Sequence, residues 1–266
     1  MVRNRHGPAA AETRWSDGGR HGGRSRRGGE KKLIETAYQE GERRGLAVWC
    51  EDEAGPYQAI PQSGHSWQPT GLPERYPHEY LRGGTAKLLR LFHPATGHLR
   101  VKGVTHSTNA VLHPCLQAEL AAILATLPPL EPRLDPSNTT ANRAAWACWQ
   151  AGLSVRFTLL EELPPLRLLL ILDNLSGHKS AAFVCWLMSH GILPLYTPLG
   201  GSWLNMVESM HRLLVSRALS GQQPETPEQL ITWLETTASG WNACPTPFTL
   251  SGVGFFESSR FALLLA

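Results

Sequence analysis

The stretch RLLLILDNLSGHKSAAFVCWLMSHGILPLY, residues 167–196, decides the fold class. Its first part, 167–173, is a nearly continuous apolar run, which is typical of a strand buried on both faces of a sheet. Residues 178–191 predict a helix that ends at a glycine, and residues 192–196 predict a second apolar strand. A strand, a helix and a strand in succession predict two parallel strands joined by a crossover helix.

The chain before this unit predicts the antiparallel part of a mixed sheet. LAVWC (46–50) predicts a short strand, and residues 87–104 predict two strands around a Pro-Ala-Thr-Gly turn. Residues 54–86 are rich in glycine, proline and aromatic side chains, which indicates hairpins and loops. Further helices are predicted at 30–45, 116–127, 141–151 and 225–241. We therefore expect an α/β fold with five strands in one mixed sheet.

Composition limits the class of protein. A chain of 266 residues that is 42% hydrophobic suits one large domain, with or without a tail. The five cysteines are scattered without a CxxC pair, which argues against a zinc ribbon or a disulfide framework and favours a reducing cytoplasm. The longest apolar run is too short to cross a bilayer, and the basic N-terminus lacks the apolar segment of a signal peptide.

Positive charge is concentrated at the N-terminus. Residues 1–29 hold seven arginines against Glu12 and Asp17, a net charge of +5, so the rest of the +3 chain must sum to −2. With seven glycines and few apolar residues, this stretch predicts a disordered basic arm over 1–30, followed by one folded domain over 31–266. An arginine arm binds polyanions without sequence preference, or it only solubilises the chain.

The stretch YTPLGGSWLNMVESMHRLLVSRAL, residues 196–219, predicts a turn and then an amphipathic helix with Ser202 as its N-cap. Its single acid, Glu208, falls on the flank of the apolar stripe, beside Asn205 and Arg212. Glu208 is either a solvated surface glutamate or a functional carboxylate. The apolar stripe consists of Trp203, Met206, Val207, Met210 and Leu214.

Two aspartates occupy similar places in the predicted sheet. Asp52 follows the strand 46–50, and Asp173 ends the apolar strand that begins at 167. Ligands of open α/β sheets gather beyond the carboxyl ends of strands, although an aspartate there is also a common turn or cap residue. Strand alternation places Glu51 and Glu53 on the face opposite to Asp52.

Taken together, Asp52, Asp173 and Glu208 indicate a metal-binding site. Three carboxylates close together repel one another unless a counter-charge is present. Carboxylate oxygens suit Mg²⁺ or Mn²⁺, and two such ions roughly 4 Å apart can activate a nucleophile and stabilise the leaving oxygen in phosphodiester displacement. Two aspartates at strand ends and one acid from a later helix therefore form a candidate nuclease site.

Several motifs in this order carry a family resemblance. They are CEDEAGPYQ (50–58), HEYLRGGTAKLL (78–89), LILDNLSGHK (170–179), YTPLGGSWLNMVE (196–208) and WNACPTPF (241–248). With these motifs the chain resembles DDE transposases with a ribonuclease H-like catalytic domain, and more specifically the bacterial insertion-sequence branch related to mariner elements, over about residues 33–252. The 34 residues between Asp173 and Glu208 agree with the spacing of the last two acids in that branch.

The resemblance implies a ribonuclease H-like five-stranded mixed sheet flanked by helices. It implies that Asp52, Asp173 and Glu208 are both the catalytic residues and the ligands of Mg²⁺ or Mn²⁺, with two ions expected. The implied reaction is cleavage of double-stranded DNA at element ends, followed by strand transfer to a target. The implied partners are DNA and a second chain, either a homodimer partner or one carrying a helix-turn-helix region, in the bacterial cytoplasm.

Other residues in the matching motifs receive less definite roles. We expect Asn174, His178 and Asn205 to shape the site or to contact DNA, although His178 also fits the first turn of the following helix. Arg212, which lies outside these motifs on the helix of Glu208, is also expected to contact DNA. Trp203 is expected to be a core anchor, and residues 82–84 a hairpin turn.

The family usually carries a helix-turn-helix region that recognises element ends, and nothing before residue 30 predicts one. Two alternatives to a transposase catalytic domain therefore stay open. One is a non-catalytic fragment that binds DNA or pairs with a full-length transposase, as an accessory or inhibitory protein. The other is a general ribonuclease H-like nuclease, which explains the three acids but not the remaining motifs.

Overall fold

The computed structural model describes residues 23–64, 70–71, 79–104, 106, 108–129, 139–154, 156–160 and 162–248. The strands in this part of the chain are β1 (Ala47–Gln58), β2 (Thr85–His93), β3 (His98–Val104), β4 (Leu168–Leu172) and β5 (Ile192–Tyr196). The helices are α1 (Gly23–Glu40), α2 (Asn109–Thr126), α3 (Thr139–Gln150), α4 (Ala181–Ser189), α5 (Val207–Leu219) and α6 (Pro227–Asn242).

The five strands form one mixed sheet in the order β3-β2-β1-β4-β5. β1 pairs antiparallel with β2 and parallel with β4, and β4 pairs parallel with β5. The hydrophobic run of β4 lies next to the middle of the sheet and is buried along its whole length, as predicted. The expectation of an α/β fold with a five-stranded mixed sheet is thus confirmed.

β1 is longer than the predicted strand 46–50. Its antiparallel pairing with β2 runs from Cys50 opposite Phe92 to Gln58 opposite Thr85, which holds the chain extended past the apolar segment. Its parallel pairing with β4 ends earlier, at Cys50 opposite Ile171. Asp52 therefore lies inside the strand and does not follow it, but it is two residues beyond the last parallel pair.

Side chains alternate between two faces of the sheet and form two hydrophobic layers. On one face, Cys50 and Ile171 pack in the same cluster as α1, α5 and α6, and we call this the α5 face. On the other, Trp49 and Leu170 pack in the same cluster as α2 and α4, and we call this the α2 face. Full burial of each leucine in these layers contributes about 2 kcal/mol.

All six helices begin at other residues than predicted, and α2 starts at Asn109, seven residues before the expected start at 116. α1 starts at Gly23, so the last part of the expected basic arm is helical, while residues 1–22 lie outside the described residues. α4 starts at Ala181, after a 3-10 turn over Gly177–Lys179. α5 starts at Val207, because Ser202–Leu204 forms a separate 3-10 turn. Ser202 is therefore not the N-cap of the helix that carries Glu208.

Residues 82–84 do not form the predicted hairpin turn. Gly83 and Gly84 exchange backbone hydrogen bonds with Ala59 and extend the pairing of β1 with β2. A Cβ atom on Gly83 would lie 1.7 Å from the backbone oxygen of Glu225, so glycine permits the close approach of the chain before α6. Among the described residues, no helix has the length and apolar composition that a bilayer crossing requires.

Candidate active site

Three acidic side chains are presented by three different elements. Asp52 belongs to β1, Asp173 follows the last residue of the adjacent strand β4, and Glu208 is the second residue of α5. Burial raises the pKa of Asp52 to about 6, the positive charge of Arg90 opposes that rise, and the charges of Asp173 and Glu208 add to it. The structure therefore brings the three acids close enough for their charges to interact.

Arg90 is the direct cationic partner of Asp52. The register of β1 and β2 places the two residues opposite each other, and Nη2 of Arg90 donates to Oδ2 of Asp52. Arg90 is only 2% exposed, and its Nε and Nη1 atoms have no hydrogen-bond partner among the described residues. Sequence reasoning missed this pair, although an arginine within the apolar run 88–92 was the available signal.

Asp173 is held by the turn that follows β4. Its Oδ1 accepts a hydrogen bond from the backbone N–H of Leu175 at 3.0 Å and lies 2.8 Å from Nδ1 of His178. Burial alone would raise the pKa of Asp173, but the hydrogen bonds from His178 and Leu175 and the charges of His178 and Lys179 hold it below its usual value. The neighbours of Asp173 thus favour its ionised form.

His178 is buried between two carboxylates. Its Nε2 atom lies 3.3 Å from Oε2 of Glu51, which is fully buried on the α2 face, while its Nδ1 atom faces Asp173. Burial lowers the pKa of His178, but Glu51 and Asp173 outweigh it and raise that pKa to about 9. Burial raises the pKa of Glu51 to about 8. Both ring nitrogens are engaged within the protein, so this conformation leaves His178 no nitrogen for a DNA phosphate.

The predicted opposition of Glu51 and Asp52 across the sheet is confirmed by this arrangement. Trp49 of the α2 face and Glu51 have the same parity along β1, whereas Cys50 of the α5 face and Asp52 share the other.

Hydrogen bonds hold the segment before α5 against the sheet and α1. Nδ2 of Asn205 donates to the backbone oxygen of Glu51 at 2.7 Å, and the hydroxyl of Tyr38 donates to the backbone oxygen of Leu204 at 2.8 Å. These bonds fix the position at which α5 begins, and Glu208 follows within its first turn. The motif residues around Asn205 therefore place the third acid relative to β1.

Trp203 does not anchor the core, contrary to the expectation. It is 56% exposed, and the ammonium group of Lys31 lies 5.3 Å from the centroid of its ring. The predicted apolar stripe begins instead at Met206, and Val207, Met210 and Leu214 are buried with it. The 3-10 turn over Ser202–Leu204 breaks the helical periodicity, which is why Trp203 points away from the stripe.

The remaining expected DNA contacts differ in their accessibility. Asn205 is buried, and the half-buried Asn174 donates to the backbone oxygen of Thr197 and accepts from Nζ of Lys179. Arg212 is exposed on α5. Of the four residues expected to contact DNA, Arg212 alone presents its side chain to solvent without a hydrogen bond or ion pair described for it.

A tyrosine and a histidine that sequence reasoning missed border the site on the α5 face. The hydroxyl of Tyr57 lies 3.1 Å from Nδ1 of His211, and the two rings stack with centroids 6.0 Å apart. Burial and the charge of Arg90 lower the pKa of His211, while Glu208 opposes the shift. The pair links β1 to α5 next to Asp52 and Glu208.

The carboxylates are not gathered around one point. Across the described ranges, no group of three or more His, Cys, Asp and Glu side chains is arranged to hold a metal ion. Asp52 is engaged by Arg90 and Asp173 by His178, while Glu208 is exposed. The donor chemistry nevertheless fits a hard divalent cation, since three carboxylates of neighbouring elements repel one another without one.

Comparison with known proteins identifies the family of this chain. A family model described as DDE superfamily endonuclease matches residues 47–231, which include the sheet, α5 and all three acids. A comparison with curated proteins gave no match.

Solved structures of Mos1 mariner transposase share the fold. The Mos1 paired-end complex with Mg matches with a TM-score of 0.51 and 14% identity, over 86% of this chain and 60% of the Mos1 chain. The complex with Mn matches with a TM-score of 0.50 and 14% identity, over 89% of this chain and 61% of the Mos1 chain. This chain thus spans about three fifths of the length of the Mos1 chains. On the evidence of the family match over its sheet and its site, the chain belongs to the DDE superfamily endonucleases.

Proposed function

We propose that this chain is a transposase catalytic domain that cleaves DNA at the ends of a mobile element and joins those ends to a target. Asp52, Asp173 and Glu208 are its catalytic acids. The observation that carries the proposal is the placement of the three acids on neighbouring elements: Asp52 two residues beyond the last parallel pair of β1 with β4, Asp173 directly after β4, and Glu208 in the first turn of α5. The charges of Asp173 and Glu208, which add to the raised pKa of Asp52, support this placement. In a DDE superfamily endonuclease, three carboxylates presented by β1, the end of β4 and the first turn of α5 are the natural ligands of a hard divalent cation.

The three carboxylates would hold Mg²⁺ or Mn²⁺, with two ions expected. The divalent cation supplies activation of the nucleophile and stabilisation of the leaving oxygen in phosphodiester displacement. Mos1 structures are described as complexes with Mg and with Mn, which supports the same choice of cation here.

Neighbouring groups hold the three acids in position for a cation. The backbone N–H of Leu175 and the ring of His178 hold one oxygen of Asp173, which leaves its other oxygen for a cation. Asn205 holds the start of α5 against β1, so that Glu208 approaches from the α5 face. Arg90 supplies a positive charge to Asp52, and a bound cation would supply that charge in its place.

The proposed reaction has two displacements at phosphorus. Water attacks a phosphodiester at the element end, a new P–O bond forms, and the 3′-oxygen leaves with a proton as a free 3′-hydroxyl. That 3′-hydroxyl then attacks a phosphodiester of the target DNA and displaces the next 3′-oxygen. Both steps exchange one P–O bond for another and require no oxidant or reductant.

The partners follow from this chemistry. We propose double-stranded DNA as substrate and target, with Arg212 of α5 as the exposed contact nearest to Glu208 in the chain. Joining two ends requires two active sites, so we propose a homodimer or a pairing with a chain that carries a helix-turn-helix region. Membership of the bacterial insertion-sequence branch, and with it a bacterial cytoplasmic location, stays a prediction.

A second function is favoured by one observation. Asp52 is engaged by a buried arginine, and no described group of acids is arranged around an ion. A chain that keeps this arrangement on DNA would act as a non-catalytic accessory or inhibitory protein that pairs with an active transposase.

Nicking of supercoiled plasmid in Mg²⁺ or Mn²⁺ separates the two functions. The variant Asp173→Asn keeps the shape of the side chain and removes its charge, so catalysis predicts that nicking is lost. The matched control is Glu119→Gln, which removes one carboxylate charge from an ion pair with Arg100, between α2 and β3, and should leave nicking intact. Equal nicking by wild type and Asp173→Asn would refute the proposed acids, and no nicking by wild type would favour the non-catalytic function.

A further inference from the structure

Glu51 is an acid that the proposed chemistry does not use. It is 0% exposed, and neither of its carboxylate oxygens has a hydrogen-bond partner among the described residues. Burying a carboxyl group without hydrogen bonds is unfavourable, and His178 keeps Asp173 as a carboxylate partner when Glu51 is replaced by an apolar side chain. Glu51 therefore does not serve the stability of the fold.

The carboxylate of Glu51 faces one polar group, the ring of His178. Oε2 of Glu51 lies 3.3 Å from Nε2 of His178, within ion-pair distance although outside hydrogen-bond geometry. The opposite ring nitrogen, Nδ1, lies 2.8 Å from Oδ1 of Asp173. Because a carboxylate accepts hydrogen bonds, Nδ1 donates to Asp173 and Nε2 is left for Glu51.

Both ends of this series of contacts are fixed by the backbone. The backbone oxygen of Glu51 accepts a hydrogen bond from Asn205 at 2.7 Å, and Glu51 itself lies within β1. The backbone oxygen of His178 accepts a hydrogen bond from the hydroxyl of Tyr196 at 2.8 Å. The imidazole ring lies between these two anchored segments, and its two nitrogens face carboxylates on opposite sides.

We propose that Glu51 is a positioning residue, which orients the ring of His178 and through it the Asp173 carboxylate toward the cation. The proposal rests on the proposed function, in which Asp173 is a ligand. It holds whether the proton between Glu51 and His178 resides on nitrogen or on oxygen, because either arrangement fixes the ring. Such outer contacts of a metal ligand typically change metal affinity by about 10- to 100-fold when they are removed.

The test compares two substitutions of Glu51 in the full chain. Glu51→Met removes the polar contact at similar volume, while Glu51→Gln keeps a group that can donate to or accept from Nε2. We expect Glu51→Met to unfold at the same or a higher urea concentration than wild type. We also expect its Mn²⁺ dissociation constant, measured by electron paramagnetic resonance of free Mn²⁺, to rise about tenfold. Glu51→Gln should bind Mn²⁺ nearly as tightly as wild type.

The matched control is Glu42→Gln, in the 3-10 turn (Glu42–Arg44) that precedes β1. Glu42 also faces a histidine, with Oε1 2.6 Å from Nε2 of His93, and it accepts a hydrogen bond from the backbone N–H of Val48. This variant should lose stability and keep its Mn²⁺ affinity. Glu51→Met should show the opposite pattern, with retained stability and weaker Mn²⁺ binding. A purely structural role of Glu51 would not produce that pattern.

Nitrogen NMR of the His178 ring separates this inference from the proposed function. The hydrogen bond from Nδ1 to Asp173 should be detected in wild type and Glu51→Gln and should be lost in Glu51→Met, with no metal added. Unchanged His178 signals in Glu51→Met, wild-type Mn²⁺ affinity in that variant, or equal weakening in both variants would overturn the positioning role. Failure of wild type to bind Mn²⁺ would instead overturn the proposed function, while the NMR result would still decide the role of Glu51.

Discussion

Replacing Arg90 by methionine tests whether this arginine is the counter-ion of the acidic site. Arg90 is 2% exposed and pairs with Asp52, whose pKa is raised to about 6 from an ordinary 3.8 even with the arginine present. That rise means that ionised Asp52 already costs the folded state about 3 kcal/mol. Removing one partner of a buried ion pair costs about 3–5 kcal/mol, and we expect a loss of about 3 kcal/mol for Arg90→Met at pH 8.

The loss should depend on pH in a defined direction. Because the pKa of Asp52 is higher in the folded than in the unfolded state, its contribution to the free energy of unfolding falls as pH rises from about 4 through about 6. Near pH 5 Asp52 is mostly protonated and does not need the arginine. Arg90→Met should therefore be at least as stable as wild type at pH 5, and its deficit should grow up to pH 8.

Urea unfolding of wild type and Arg90→Met at pH 5 and pH 8 measures both effects. The double variant Asp52→Asn with Arg90→Met removes both charges and should recover most of the deficit at pH 8, as replaced buried pairs do. Arg100→Met is the matched control, since its partner Glu119 lies in a partly exposed pair, which is worth about 1 kcal/mol or less. A deficit of Arg90→Met that is the same at both pH values would refute the counter-ion role.

Three further substitutions test the placement of residues around the site. Asn205→Leu leaves the backbone oxygen of Glu51 without its hydrogen bond and should lower the free energy of unfolding by about 1–3 kcal/mol; wild-type stability in urea unfolding would contradict the anchoring of α5. Trp203→Ala removes an exposed ring and should change stability by about 1 kcal/mol or less in the same assay, whereas a core anchor would cost about 3–5 kcal/mol. Gly83→Ala places a Cβ atom 1.7 Å from the backbone oxygen of Glu225, so its thermal midpoint should fall by several degrees, and an unchanged midpoint would contradict the close packing there.

The architecture of the sheet could be predicted from local patterns. The apolar runs of β4 and β5 and the glycine-ended helix between them define a parallel unit, and the Pro-Ala-Thr-Gly turn defines the hairpin of β2 and β3. Strand and helix ends could not be predicted as well, because they depend on pairing partners. The continuation of β1 past residue 50 is an example, since β2 rather than the sequence of β1 extends it.

The residues of the candidate site could also be predicted only in part. The three acids were predicted from their spacing and from the family resemblance. The family match supports that resemblance at the level of the superfamily. Arg90 and Glu51 could not be assigned, because their roles depend on which residue lies opposite in the sheet and which turn packs against it. The exposure of Trp203 was missed for another reason, as one 3-10 turn shifts the helical periodicity on which the prediction depended.

The most direct test of the central claim is a crystal of the full chain grown with Mn²⁺, measured at the manganese absorption edge. The account predicts an anomalous difference peak in contact with carboxylate oxygens of Asp52, Asp173 and Glu208, with Arg90 displaced from Asp52. The same crystals of Asp173→Asn should lack this peak. Bound Mn²⁺ elsewhere in these crystals, with the ion pair of Arg90 and Asp52 intact, would contradict the claim that these three acids form the metal-dependent active site.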